Sequence, residues 1–153
     1  MKTSLDHLPE RKRVELARIV SLILERVQPE MIILFGSHAR GDWVEELADD
    51  GFHYKYQSDY DILVVVDKPN LAEKTSPWDK IWSDAWHAVR TPLTLIVHDI
   101  GYVNRRLQKG QYFFSDIRKE GIVLYDTGHV QLEEPRELSP KERRNQAEED
   151  YQY

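Results

Sequence analysis

The run "YDILVVV", Tyr60–Val66, constrains the fold more than any other stretch of this chain. Its aliphatic and β-branched residues favour extended backbone, and beyond Asp61 no polar residue alternates with them. Both faces of such a strand must be covered, which places it in the middle of a sheet with a layer packed on each side. Two acids one residue apart, Asp59 and Asp61, stand at its entrance in "SDYD". On an extended chain they project from one face, with Cα atoms roughly 6–7 Å apart. Carboxylates so close resist joint ionisation, and beside a buried sheet the cost rises unless a cation is shared. Hard divalent ions take oxygen ligands, commonly one or two carboxylates together with substrate phosphates. The pair therefore points to a metal–triphosphate site with Asp59 and Asp61 as ligands. The plainer alternative is that Asp59 caps a turn and Asp61 meets a lysine.

A second stretch, "ILFGSHARGDW", supplies what such a site needs. "MIILF", 31–35, is a short apolar strand ended by a glycine. Gly36 lets another group approach the backbone closely. Backbone N–H groups there and the Ser37 hydroxyl can grip phosphate oxygens. Arg40 can add charge-assisted bonds, and Gly41 allows the chain to turn away.

The remaining pattern mixes helices and strands. Leu16, Ile19, Val20, Ile23 and Val27 repeat at helical spacing, so a helix is expected over roughly Pro9 to Arg26. Residues 42–57 read as an irregular insertion whose "FHYKYQ" could extend the next strand. Ser76, Pro77 and Asp79 resemble a helix start with Ser76 as cap. That helix carries Trp78, Ile81, Trp82, Ala85 and Val89 along one stripe; its tryptophans, Trp86 included, suit core and rim better than a stacking platform. "PLTLIVHD", 92–99, is a strand, followed by helices near 101–109 and 111–120 closed by Gly110 and Gly121. "IVLYD", 122–126, is a last strand. The fold class is α/β or α+β, a small mixed central sheet flanked by helices.

The division expected is a domain over 1–127, then a polar linker and the start of a helix over 128–153. Ser139 and Glu142 there have capping-box spacing, with Pro140 at the first helical position. Few apolar residues follow, so the helix reads as the opening of a further domain in a longer parent. The short basic runs "ERKR" and "KERR" are expected on solvated faces.

Composition narrows the function. The chain has 153 residues, no cysteine and a formal net charge of -6, which excludes thiolate metal sites and argues against a general nucleic-acid binder. A nucleotide remains compatible because a metal supplies the positive charge. No apolar run approaches membrane-spanning length and the start lacks a signal-peptide core, so a cytoplasmic location is the default expectation.

Taken together, strand, "GSHARGD", insertion and "SDYDILVVV" resemble the signature of the polymerase-β-like nucleotidyltransferase superfamily. The likeness is greatest to its minimal nucleotidyltransferase (MNT) domains, some of which belong to toxin–antitoxin pairs. Gly36, Ser37, Ala39, Arg40, Gly41, Ser58, Asp59 and Asp61 match that pattern, and the likeness extends over roughly residues 10–127. The resemblance implies transfer of a nucleoside monophosphate, AMP by preference, from ATP or another nucleoside triphosphate to an acceptor hydroxyl. Asp59 and Asp61 would hold Mg²⁺ or Mn²⁺, while Gly36, Ser37, Arg40 and Ser58 would bind the nucleotide. It also implies a HEPN-like helical partner beyond residue 139; self-association is left open. One departure is plain. Where the family carries a third carboxylate on the following strand this chain has Thr94, which can neither ligate as a carboxylate nor act as base. His98, four residues on and facing the same side, is the candidate substitute base. A catalytically impaired module that binds nucleotide, or simply binds a partner, and regulates a HEPN-like domain is therefore the rival expectation. His53, Tyr54 and Tyr56 are candidates for the acceptor side or for an exposed hairpin.

Overall fold

The computed structural model describes residues 1–151. In chain order the elements are α1 (Glu10–Leu24), β1 (Met31–Phe35), α2 (Ser37–Arg40), β2 (Glu45–Leu47), β3 (Tyr54–Gln57), β4 (Tyr60–Val66), α3 (Pro69–Glu73), α4 (Trp78–Ala88), β5 (Leu93–Asp99), α5 (Ile100–Gln108), α6 (Tyr112–Glu120), β6 (Ile122–Asp126) and α7 (Pro140–Tyr151). The main sheet has the order β5-β4-β1-β6. β1 runs antiparallel to both neighbours, whereas β4 and β5 are parallel. This is the mixed, helix-flanked sheet expected from the sequence.

β4 lies inside that sheet for the reason its sequence gives. Tyr60, Ile62, Val64 and Val66 enter one core with Leu16, Ile19 and Ile23 of α1 and Ile81 and Ala85 of α4. Leu63 and Val65 enter the opposite core with Val103 and Leu107 of α5 and Phe114 and Ile117 of α6. By the two-residue period, Asp61 projects toward the second core, at the end of β4 beside Phe35.

Four local expectations are corrected. The insertion is not irregular: β2 and β3 pair antiparallel as a separate two-stranded sheet, so "YKYQ" joins β2 instead of lengthening β4. The "ERKR" run is not wholly solvated, since Lys12 is 1% exposed; its partner, Glu45, comes from β2, 33 residues away. Ser76 does not cap α4, because Pro77 occupies the N-cap position and leaves Ser76 one residue early. Gly121 ends α6 in extended backbone, φ -68°, instead of the left-handed form. Glycine is still required there, since a Cβ would lie 2.5 Å from the Ile117 carbonyl oxygen.

Residues 128–139 follow the body of the protein: Val130 and Leu132 pack on the second core and Leu138 is buried. The capping box forms, with Ser139 Oγ accepting from the Glu142 N–H and Glu142 Oε1 accepting from the Ser139 N–H, both at 3.2 Å. α7 is tied on by polar bonds: Gln146 donates to the Gly110 carbonyl at 3.1 Å and accepts from the Tyr112 N–H. Among the described residues no helix is long and apolar enough to cross a membrane.

Candidate functional site

The two sequence stretches meet because β1 and β4 are antiparallel neighbours in the register Phe35↔Asp61. Gly36 follows with φ +75°, a conformation that L side chains rarely adopt. The space a side chain would fill there is taken by Asp61: a Cβ on Gly36 would lie 2.2 Å from Asp61 Oδ2. The carboxylate is thus aimed at the Gly-Ser bend and pressed against its backbone.

One cleft of about 580 Å³ is lined by Phe35, Gly36, Ser37, Arg40 and Asp61, and on its far side by Phe113, Asp116, Ile117 and Glu120 of α6. The single turn of α2 closes with Ala39 and Arg40 N–H groups on the Gly36 carbonyl, at 3.1 and 3.0 Å. In any first turn the leading N–H groups have no partner inside the helix, which leaves those of Ser37 and His38. Arg40 lies at the rim, 3.3 Å from Asp42 and 3.6 Å from Glu120.

Asp59 and Asp61 are electrostatically coupled. Burial pushes the Asp61 carboxyl above the usual aspartate range, the Asp59 charge raises it further, and Thr94 and Arg40 only partly offset this. Thr94 sits opposite Asp61 across the β4–β5 pair and donates to Asp59 Oδ2 at 2.8 Å. Thr94 therefore orients one of the two acids. Among the described residues no group of three or more histidine, aspartate or glutamate side chains is placed to hold a metal. The chemistry of the pair nevertheless fits a hard divalent ion, because two carboxylates that repel each other are relieved by a shared cation, and Mg²⁺ usually takes its remaining ligands from phosphates and water.

The structure gathers Gly36, Ser37, Arg40 and Asp61 in the cleft; Asp59 is not among its lining residues and is coupled to Asp61. Two other candidates lie elsewhere. The Ser58 hydroxyl accepts from the Val44 N–H at 2.9 Å, and the Ser58 N–H returns a 2.9 Å bond to the Val44 carbonyl, so Ser58 fastens the base of the hairpin. His98 shares the face of Thr94 but is roughly 13 Å further along β5 at 3.3 Å per residue. Its ring stacks on Tyr102 at 4.3 Å and meets Phe114 edge-on at 5.6 Å. Burial also lowers its basicity. The hairpin residues His53, Tyr54 and Tyr56 are exposed.

Sequence reasoning missed Asp116 and Glu120. A signal was present: Phe113, Asp116, Ile117 and Glu120 have helical spacing that mixes acids into an apolar face. It also missed the support beneath the acids. His38, fully buried, stacks on Trp43 at 5.6 Å and touches Tyr60 at 4.6 Å. Lys12 Nζ lies 3.1 Å from His38 Nε2 and is ion-paired with Glu45. An ammonium only donates, so Nε2 accepts, and Nδ1–H donates to the Asp59 carbonyl at 2.8 Å. Burial and then the Lys12 charge push the His38 pKa down to about 4, so the ring is neutral near pH 7.

No family model matches the chain, and neither does a curated protein. Among solved structures it is similar to a toxin–antitoxin crystallised with AMP-PNP, at 16% identity and a TM-score of 0.49, covering 89% of this chain and 86% of that one. It is also similar to two mutants of the toxin–antitoxin MntA-HpeT. One is 14% identical with a TM-score of 0.49, covering 89% of this chain and 86% of that one. The other is 16% identical with a TM-score of 0.48, covering 90% and 85%.

Proposed function

We propose that the chain is a nucleotidyltransferase that moves a nucleoside monophosphate, with ATP as the leading donor, onto an acceptor hydroxyl. The observation that carries this reading is Asp61 Oδ2 pressed against Gly36 in the cleft that Ser37 and Arg40 also line. The bend would hold the terminal phosphates through Ser37 and the adjacent backbone N–H groups. Arg40 would neutralise them from the rim. Asp59 and Asp61 would hold a divalent cation, which supplies charge neutralisation on the phosphates when bound. The acceptor oxygen bonds to the α-phosphorus, the α–β bridging bond breaks, and pyrophosphate leaves with its electron pair. Asp116 lines the same cleft and has no ion-pair partner among the described residues, so it is the carboxylate available to take the acceptor proton.

A second reading, nucleotide binding without turnover in a module that regulates a HEPN-like partner, is favoured by Thr94 occupying the position opposite Asp61. Incubation with α-labelled ATP and Mg²⁺, with and without a helical partner domain, separates the two. Label moving to an acceptor with one pyrophosphate released per transfer supports the transferase. Bound ATP with no pyrophosphate supports the module. No binding in either arm contradicts both.

A further inference from the structure

We propose that Lys12 and His38 are positioning residues for Asp59, forming a buried clamp that fixes the backbone of a metal-binding carboxylate from behind the sheet. The inference rests on the nucleotide-site reading above and adds residues to it. Three consecutive residues at the mouth of β4 are pinned. Ser58 is tied to Val44 and the Tyr60 N–H donates to the Pro92 carbonyl at 2.8 Å. Between them the Asp59 carbonyl receives the His38 Nδ1–H at 2.8 Å, and the Asp59 carboxylate receives the Thr94 hydroxyl, also at 2.8 Å. Both ends of Asp59 are therefore held before any ligand arrives.

The clamp is costly as pure structure. Lys12 is 1% exposed and His38 fully buried, and apolar residues of similar volume are commonly as good or better at such positions. What the polar pair provides and an apolar pair does not is a directed donor. Lys12 fills Nε2 and so commits the Nδ1 proton to Asp59. Glu45 holds the ammonium and Arg11 holds Glu45 at 3.1 Å, so α1 and the β2–β3 hairpin both back the contact. Outer partners that orient ligating groups commonly govern metal affinity as strongly as this.

The test compares ATP affinity by calorimetry with Mg²⁺ and with EDTA, the ratio being the metal-dependent gain. In His38→Gln the amide oxygen can still accept from Lys12, but the donor to Asp59 is lost. In His38→Asn the amide nitrogen stands near the position of Nδ1 and keeps that donor. His38→Gln and Lys12→Met should lose about tenfold of the gain with EDTA affinity within about threefold of wild type, the range typical of outer-partner changes. His38→Asn should retain the gain. Melting of each variant without nucleotide monitors folding, and should His38→Gln fail to melt cooperatively, Lys12→Met carries the comparison. Retention of the full gain by both loss variants overturns the clamp and leaves the nucleotide site standing. A wild type with no metal-dependent gain overturns the site reading and the clamp together.

Discussion

Charged residues flank the backbone at Asp59 on both faces of the sheet, and the two sets are built on opposite plans. Behind the sheet, Glu15 is saturated: it accepts from the Arg90 N–H at 2.7 Å, the Tyr60 hydroxyl at 2.8 Å and the Thr91 hydroxyl at 2.9 Å. Burial alone would raise its pKa, but these donors and Arg11 bring it below the ordinary glutamate range. On the cleft side Asp61 has the reverse balance, with burial and Asp59 outweighing the help of Thr94 and Arg40. One carboxylate is complete without a ligand; the other carries a penalty that a proton or a shared cation would relieve. Glu15 is satisfied internally, whereas half-buried Asp61 is left in conflict, which is what the nucleotide-site reading proposed above draws on.

Substitutions that invert the two plans test this contrast. The largest effect is expected from Glu15→Ala, which strands two hydroxyls and an N–H; each buried donor left unsatisfied costs about 1–3 kcal/mol, read as a lowered urea midpoint. Acid should act in the same direction. Because the folded pKa of Glu15 is lowered, its contribution is present above the unfolded value and disappears as pH falls through the folded one.

Gly36→Ala comes next. A non-glycine residue at φ +75°, ψ -156° costs about 1–3 kcal/mol, and its methyl group must also displace Asp61. The variant should melt lower and lose the stabilisation given by Mg²⁺–ATP. Asp61→Asn should do the opposite to the ligand-free protein, raising its melting temperature by about 2–4 °C for each ~1 kcal/mol relieved. The sign follows from the raised folded pKa: the penalty is absent below the unfolded aspartate value, about 3.9, and complete above the folded one. The gain should therefore grow as pH rises toward neutrality and vanish near pH 3. The smallest effect belongs to Tyr56→Ala on the exposed hairpin, within about 0.5 kcal/mol of wild type.

Much of this was legible before any coordinates. The aliphatic run of β4, the glycine ending β1 and the acid pair announce themselves locally, because strand burial and backbone freedom leave marks within a few residues. The register Phe35↔Asp61 that joins them is non-local, and the expectation of a single site came from how the motifs combine, not from any local signal. The rest was hidden by distance in sequence. Lys12 sits in a basic run that looks solvated until Glu45 and His38, 33 and 26 residues away, enclose it. Residues 42–57 gave no clean alternation, so the β2–β3 pairing that supplies Glu45 did not show. Asp116 and Glu120 share a helical face with Phe113 and Ile117, but only the packing of α6 brings that face to the cleft that Asp61 lines. Ser58 lay within the recognised pattern, but its hydroxyl closes the hairpin instead of lining the cleft.

The most direct measurement is thermal unfolding with and without Mg²⁺–ATP for wild type and for the double substitution Asp59→Asn, Asp61→Asn. At a hundredfold excess over Kd the wild type should gain about 2.7 kcal/mol, and the double variant should gain nothing while folding at least as stably without ligand. An identical shift in both proteins, or none in the wild type, would contradict the account.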